Sequence, residues 1–229
     1  WPDRVMGAIG PDALEGYVTF NVVFTSGEEC KASYLIVMSL AGEVVSLKVF
    51  DGDYHQPGGL EHFNGLKLRD PHHLLLAANA NPDGEYGPAY AYNWRDDFFI
   101  ELAAGSWGEK GAAHDIQWQP RAGGQTPALW RPTAKGLMLQ DAVTGATIES
   151  HGYPVSDVNH VQVVDYEGES PYAIVNARAS YSFAKVDLRE YKAVWTCGGA
   201  NGDFTFVDFE NRTHPPGSSF FFGQHNLEY

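Results

Sequence analysis

Apolar and polar positions alternate along this chain in short runs, each soon interrupted by glycine, proline, asparagine or aspartate. The segments 17–24, 34–38, 44–50, 97–102, 172–175 and 203–207 are rich in β-branched and aromatic residues, the composition that fits a pleated, half-buried backbone. Between them stand Ala41-Gly42, Asp51-Gly52, Asn81-Pro82-Asp83-Gly84, Thr144-Gly145 and Asn201-Gly202-Asp203, which supply the positive φ angles and side-chain acceptors of tight turns. No long stretch carries the 3.6-residue period of a helix. The pattern predicts an all-β protein.

A longer period lies over the short one. His73, His114 and His160 each open an apolar strand and lie 41 and 46 residues apart. Repeats of about 40–50 residues, each of roughly four short antiparallel strands, are the signature of a β-propeller. The clearest blade runs from His160 to Thr196, as H-V-Q-V-V-D-Y, Y-A-I-V-N-A-R, S-F-A-K-V-D-L and Y-K-A-V-W-T. The first strand of each propeller blade lines the central channel, so strand starts from different blades converge on one axis. At about 45 residues per blade the chain holds about five blades. No linker or shift in composition divides it. Residues 1–229 read as a single propeller domain, a fragment lacking N-terminal and C-terminal parts.

Charge narrows the partners. Fifteen Lys and Arg against 29 Asp and Glu give a formal net charge of −14, which repels nucleic acid over most of the surface. The longest apolar stretches, 34–40 and 73–78, are strand-length, far short of the ~18 residues a membrane helix needs, so no membrane span is expected. Cys30 and Cys197 form no zinc-like spacing and read as buried thiols. Asn211-Arg212-Thr213 fits the N-glycosylation sequon.

Four islands carry candidate chemistry: A-A-H-D-I-Q at 112–117, V-N-H-V-Q-V at 158–163, V-N-A-R at 175–178 and G-Q-H-N at 223–226. Each sets a His or Arg beside a strand-like run. Three imidazoles and one guanidinium drawn from distant strands suit the grip of an oxyanion, with one imidazole free to attack or to shuttle a proton. A guanidinium at the centre would repel a cation, and no H-x-H or H-E-x-x-H spacing is present, so neither a catalytic metal nor another cofactor is expected. His55, His62, His151 and His214 sit among Gly, Pro and polar residues and read as surface loop positions. Trp94, Trp118, Trp130 and Trp195 read as packing residues, with Trp118 and Trp130, in the loop-rich part after His114, also placed to form a wall against a phenol ring.

These islands resemble the arylsulfotransferase family, six-bladed propeller enzymes that move a sulfuryl group between phenols without a nucleotide donor. The resemblance rests on His114-Asp115-Ile116, on Asn159-His160, on Ile174-Val175-Asn176-Ala177-Arg178 followed by Lys185-Val186-Asp187 and Val194-Trp195, and on Gln224-His225. It covers roughly residues 33 to 229. Asn176-Ala177 stand where the family carries two serines, and the His and Asn of the second motif are reversed. The resemblance implies His225 as the nucleophile, with His114, His160 and Arg178 on the sulfuryl oxygens or assisting proton transfer. Asn159, Gln224 and Trp118 are the accompanying substrate-binding candidates. It also implies an aryl sulfate donor, a phenolic acceptor, a ping-pong reaction through a sulfohistidine, and a periplasmic or extracellular location. A propeller that binds a ligand or protein without catalysis is the alternative.

Overall fold

The computed structural model of the chain describes residues 16–26, 29–51, 63–79, 86–103, 115–121, 123–133, 136–155, 158–164 and 172–218. They form 17 strands. The protein is all-β and built of antiparallel β-propeller blades, as the alternation and turn spacing predict. No helix among the described residues is long and apolar enough to cross a membrane. The chain falls into two compact units, Trp1–Glu101 and Leu102–Tyr229.

The first unit holds two sheets. One has three strands in the order β1 (Tyr17–Ser26), β2 (Glu29–Ser39) and β3 (Val44–Asp51). The other is a four-stranded meander of β4 (Phe63–Asp70), β5 (His73–Asn79), β6 (Tyr86–Asn93) and β7 (Phe98–Leu102). Leu35 and Val37 of β2 pack against Leu74, Leu76, Tyr90 and Tyr92 of the second sheet. These side chains sit two residues apart on their strands, which is why alternation in the sequence becomes one buried face.

The second unit repeats the design. β8 (Gln117–Gln119), β9 (Ala128–Pro132), β10 (Gly136–Asp141) and β11 (Thr147–Gly152) form one meander, and β12 (Val158–Val164), β13 (Tyr172–Ala177), β14 (Ser182–Asp187) and β15 (Lys192–Gly198) the next. Trp130, Leu137 and Leu139 of the first meet Val161, Val163, Val175, Ala184 and Val186 of the second in one core. A two-stranded hairpin, β16 (Phe206–Val207) with β17 (Thr213–His214), follows. Trp195 stacks edge-on against Phe183 and Phe204, a packing role in line with the sequence.

One turn design closes the hairpin between the third and fourth strands of each meander. Asn93 Oδ1 accepts from the amides of Arg95 and Asp96, Asp141 Oδ1 from Val143 and Thr144, and Asp187 Oδ1 from Arg189 and Glu190. Four residues past each acceptor the backbone enters the left-handed region, at Asp97 (φ 51°), Gly145 (φ 70°) and Tyr191 (φ 51°). A short polar side chain that satisfies two turn amides is the reason aspartate and asparagine punctuate these runs.

Three expectations need correction. His73 opens β5, the second strand of its sheet, whereas β8 and β12 are first strands. Antiparallel neighbours begin at opposite ends, so His73 is not equivalent to His160; its Nδ1 lies 2.8 Å from Asp70 Oδ1. His151 sits within β11 rather than in a loop, with Nδ1 3.2 Å from the Leu188 carbonyl and Nε2 3.1 Å from Glu149. His214 likewise belongs to a strand, β17, with Nε2 3.0 Å from Asp208. Cys197 is a free, half-buried thiol, and burial pushes its pKa up. The side chain of Cys30 lies outside the described residues.

Candidate functional site

The site begins with two neighbouring first strands. β8 and β12 belong to adjacent sheets, and polar side chains bridge them. Gln117 Nε2 donates to the Val163 carbonyl at 2.9 Å while the Val163 amide donates to Gln117 Oε1 at 2.8 Å. A primary amide can do both at once because it carries a donor and an acceptor in one plane. It thus occupies backbone groups on the open edge of β12, where unpaired N–H and C=O would otherwise invite another strand.

Asp115, two residues before Gln117, repeats the move at the start of the strand. Its Oδ2 accepts from the Val161 amide at 3.3 Å and its Oδ1 from the Ile116 amide at 2.8 Å. The same Oδ2 lies 3.2 Å from His160 Nδ1, and the two side chains are 1% and 3% exposed. Asp115 with Val161 and Gln117 with Val163 are both 46 residues apart, the spacing of His114 and His160, so the sequence period is also the structural register between blades. A carboxylate this deep requires such partners, since burying an isolated charge costs several kcal/mol. Tyr153 is buried in the core between the two sheets. Burial, and then the negative charge of Asp115, pushes its phenol well above the ordinary value.

His160 opposes Asn176 across the β12–β13 ladder, and Val158 opposes Ala177. Asn176 is fully buried. Arg178 follows Ala177 directly, so it leaves the sheet at the end where β12 begins. It starts the hairpin to β14, in which the Tyr181 amide donates to the Arg178 carbonyl at 3.2 Å. The residue is exposed. The 18-residue separation of His160 and Arg178 is thus one outward and one return strand, β12 and β13. A cleft of about 540 Å3 opens at the same end, with Pro154, Ala177, Tyr181, Ser182, Thr196 and Asn201 among its lining residues.

The remaining candidates divide cleanly. His114, Gln224 and His225 lie outside the described residues. Asn159 lies in β12, and its side chain lies outside the described residues. Trp118 alternates with Gln117 and Gln119 on β8 and opposes Leu129, so it sits on the face of its sheet turned away from the bridge to β12. Asp115 as the partner of His160, and Gln117 as the clamp on β12, are the two roles that sequence reasoning missed. The signal was present in the 46-residue offset, which sets position 115 against position 161.

No protein-family model matches the chain, and no curated protein does. Among solved structures, the chain is similar to one described as the Dos1 propeller, at 15% identity over 72% of this chain, with a TM-score of 0.40. The chain spans 44% of that protein's length. The assignment of propeller blades rests on the sheets and their packing, not on this likeness.

Proposed function

We propose that the chain is part of a nucleotide-independent arylsulfotransferase, the activity that its four sequence islands resemble. The observation that supports this reading best is the contact of Asp115 with His160 at the end of β12 from which the Arg178 hairpin also springs. The adjacent first strands β8 and β12 there bring a carboxylate beside an imidazole, and the β13–β14 hairpin brings a guanidinium to the same end of the sheet. In the reaction, neutral His225 attacks the sulfur of an aryl sulfate; the S–O bond to the aryl group breaks and its electron pair leaves with the phenolate. An acceptor phenol, losing its proton, then attacks sulfur and the N–S bond returns its pair to the imidazole. Charge spreads over three sulfuryl oxygens, which Arg178 and the N–H groups of His114 and His160 stabilise. With Asp115 Oδ2 beside Nδ1, the carboxylate charge favours the tautomer that carries its proton on Nδ1, which leaves Nε2 as acceptor or, once protonated, as donor.

The near-complete burial of His160 and the exposure of Arg178 favour a second reading, a propeller without catalysis in which the Asp115 pair only fastens two blades. Incubation of the protein with 4-nitrophenyl sulfate, with and without added phenol, separates them. Acceptor-dependent release of 4-nitrophenol is the expected result. Its absence, in protein that is folded by circular dichroism, supports the binding module.

A further inference from the structure

The cleft beside the β13–β14 hairpin has a chemistry of its own. Its volume of about 540 Å3 falls in the range of small-molecule sites, about 300–1,000 Å3. In a chain of net charge −14, none of the described residues that line it carries a charged side chain. A neutral lining of this size selects a neutral ligand, because an ion entering it would lose hydration without gaining a counter-charge.

Its polar groups are hydroxyls and one amide. Ser180, Ser182 and Thr196 bring hydroxyls, Asn201 brings donors and an acceptor together, and Tyr181 brings a phenol. Backbone joins them where β15 ends: a Cβ on Gly199 (φ 66°) would stand 2.4 Å from the Ser180 carbonyl. Only glycine lets the 198–199 segment come this close to the hairpin. Tyr181 is 42% exposed and held at φ 53°, a left-handed conformation that strains a residue carrying a Cβ. Four hydroxyls, an amide and one accessible aromatic ring match a ligand that has an apolar ring face and hydroxyls around its edge.

We infer that this cleft binds a neutral pyranoside, its ring seated on Tyr181 and its hydroxyls bonded by Ser180, Ser182, Thr196 and Asn201. The site is separate from the His160 pair and does not depend on the transferase reading. Ala177 and Ser182 oppose one another on the face of the sheet that also carries Val175 and Ala184, while His160 and Asn176 occupy the other face.

Saturation-transfer NMR of the whole chain with methyl glucoside, methyl galactoside and methyl mannoside, each tested alone beside 4-methylphenol, tests this directly. At least one pyranoside should bind with a Kd of about 10 mM or below, with transfer concentrated on one ring face. Tyr181→Gly removes the platform while relieving the backbone, so it should raise the thermal midpoint and weaken binding at least about tenfold. Tyr181→Trp should keep the binding. No pyranoside binding, unchanged binding in Tyr181→Gly, or binding of 4-methylphenol alone overturns the assignment.

Discussion

Asp115 Oδ2 lies 3.2 Å from His160 Nδ1 across the junction of two blades, with both side chains almost wholly buried. The pair joins first strands that are one repeat apart. It fixes where the His160 ring sits whether or not the ring takes part in chemistry, and the two roles respond differently to substitution.

Asp115→Asn keeps the shape and one acceptor for the Val161 amide but removes the charge. The transferase reading predicts a fall in kcat of about tenfold or more with KM little changed, since the imidazolium formed during proton transfer loses its stabilising partner. Asp115→Ala leaves the buried ring and amides short of a partner and should lower stability by about 1–3 kcal/mol. Urea unfolding followed by tryptophan fluorescence gives the second number, and steady-state kinetics the first. Loss of stability in both variants with kcat untouched would make the pair purely structural.

Gln117→Ala tests the clamp on β12. It removes two hydrogen bonds, to the amide and carbonyl of Val163, and should cost about 1–3 kcal/mol. Gln117→Glu retains the acceptor for the amide but sets a carboxylate against the carbonyl, so it should be no better. Hydrogen exchange should show the Val163 amide losing protection in both, and unchanged protection would contradict the bridge.

The repeat itself was legible in the sequence because both of its causes are local. Alternation gave the strands, and aspartates or asparagines at the turns gave their ends. The 46-residue spacing of His114 and His160 turned out to be the register that sets Asp115 beside Val161 and Gln117 beside Val163. His73 was misread because an apolar run looks the same in a first strand as in a second; only the hairpin that precedes it, at Asp70-Pro71-His72, distinguishes them. His151 reads as a loop residue because its neighbours Ser150 and Gly152 are turn formers in sequence, yet the ladder that pairs Gly152 with Gly136, His151 with Leu137 and Ser150 with Met138 overrides them. Trp118 reads as part of a loop-rich stretch because Gly111 and Pro120 stand on either side of it, yet it lies in the short strand β8.

The turn aspartates should set the acid limit of the fold. Asp141 is held down at about 2, first by the Thr126 hydroxyl and then by the Thr144 amide. Its carboxyl therefore binds a proton less readily folded than unfolded, where an aspartate titrates near 3.9. The stabilisation it brings is complete above that value and is lost as pH falls through about 2. Asp141→Asn should flatten this part of the stability curve, as followed by thermal midpoints from pH 5 downward. An identical acid limb in the variant would remove Asp141 as its source.

Arg178→Lys keeps the charge and loses the planar fork. If Arg178 holds the sulfuryl oxygens, kcat/KM should fall at least about tenfold, on the order of 1.4 kcal/mol of transition-state stabilisation. Because the residue is an exposed first position of a hairpin, the fold should not notice the change. Turnover close to that of the parent would take Arg178 out of the mechanism.

The most direct measurement is the fate of the sulfuryl group. Treating the protein with 4-nitrophenyl sulfate in the absence of acceptor, then digesting and weighing the peptides, should find one added sulfuryl mass on the peptide that carries His225. His225→Ala should lose both that mass and all transfer, while His160→Ala, with one oxyanion donor fewer, should keep a residue of activity about 10²–10³-fold below the parent. A sulfuryl mass on any other residue, or transfer that survives in His225→Ala, contradicts the account.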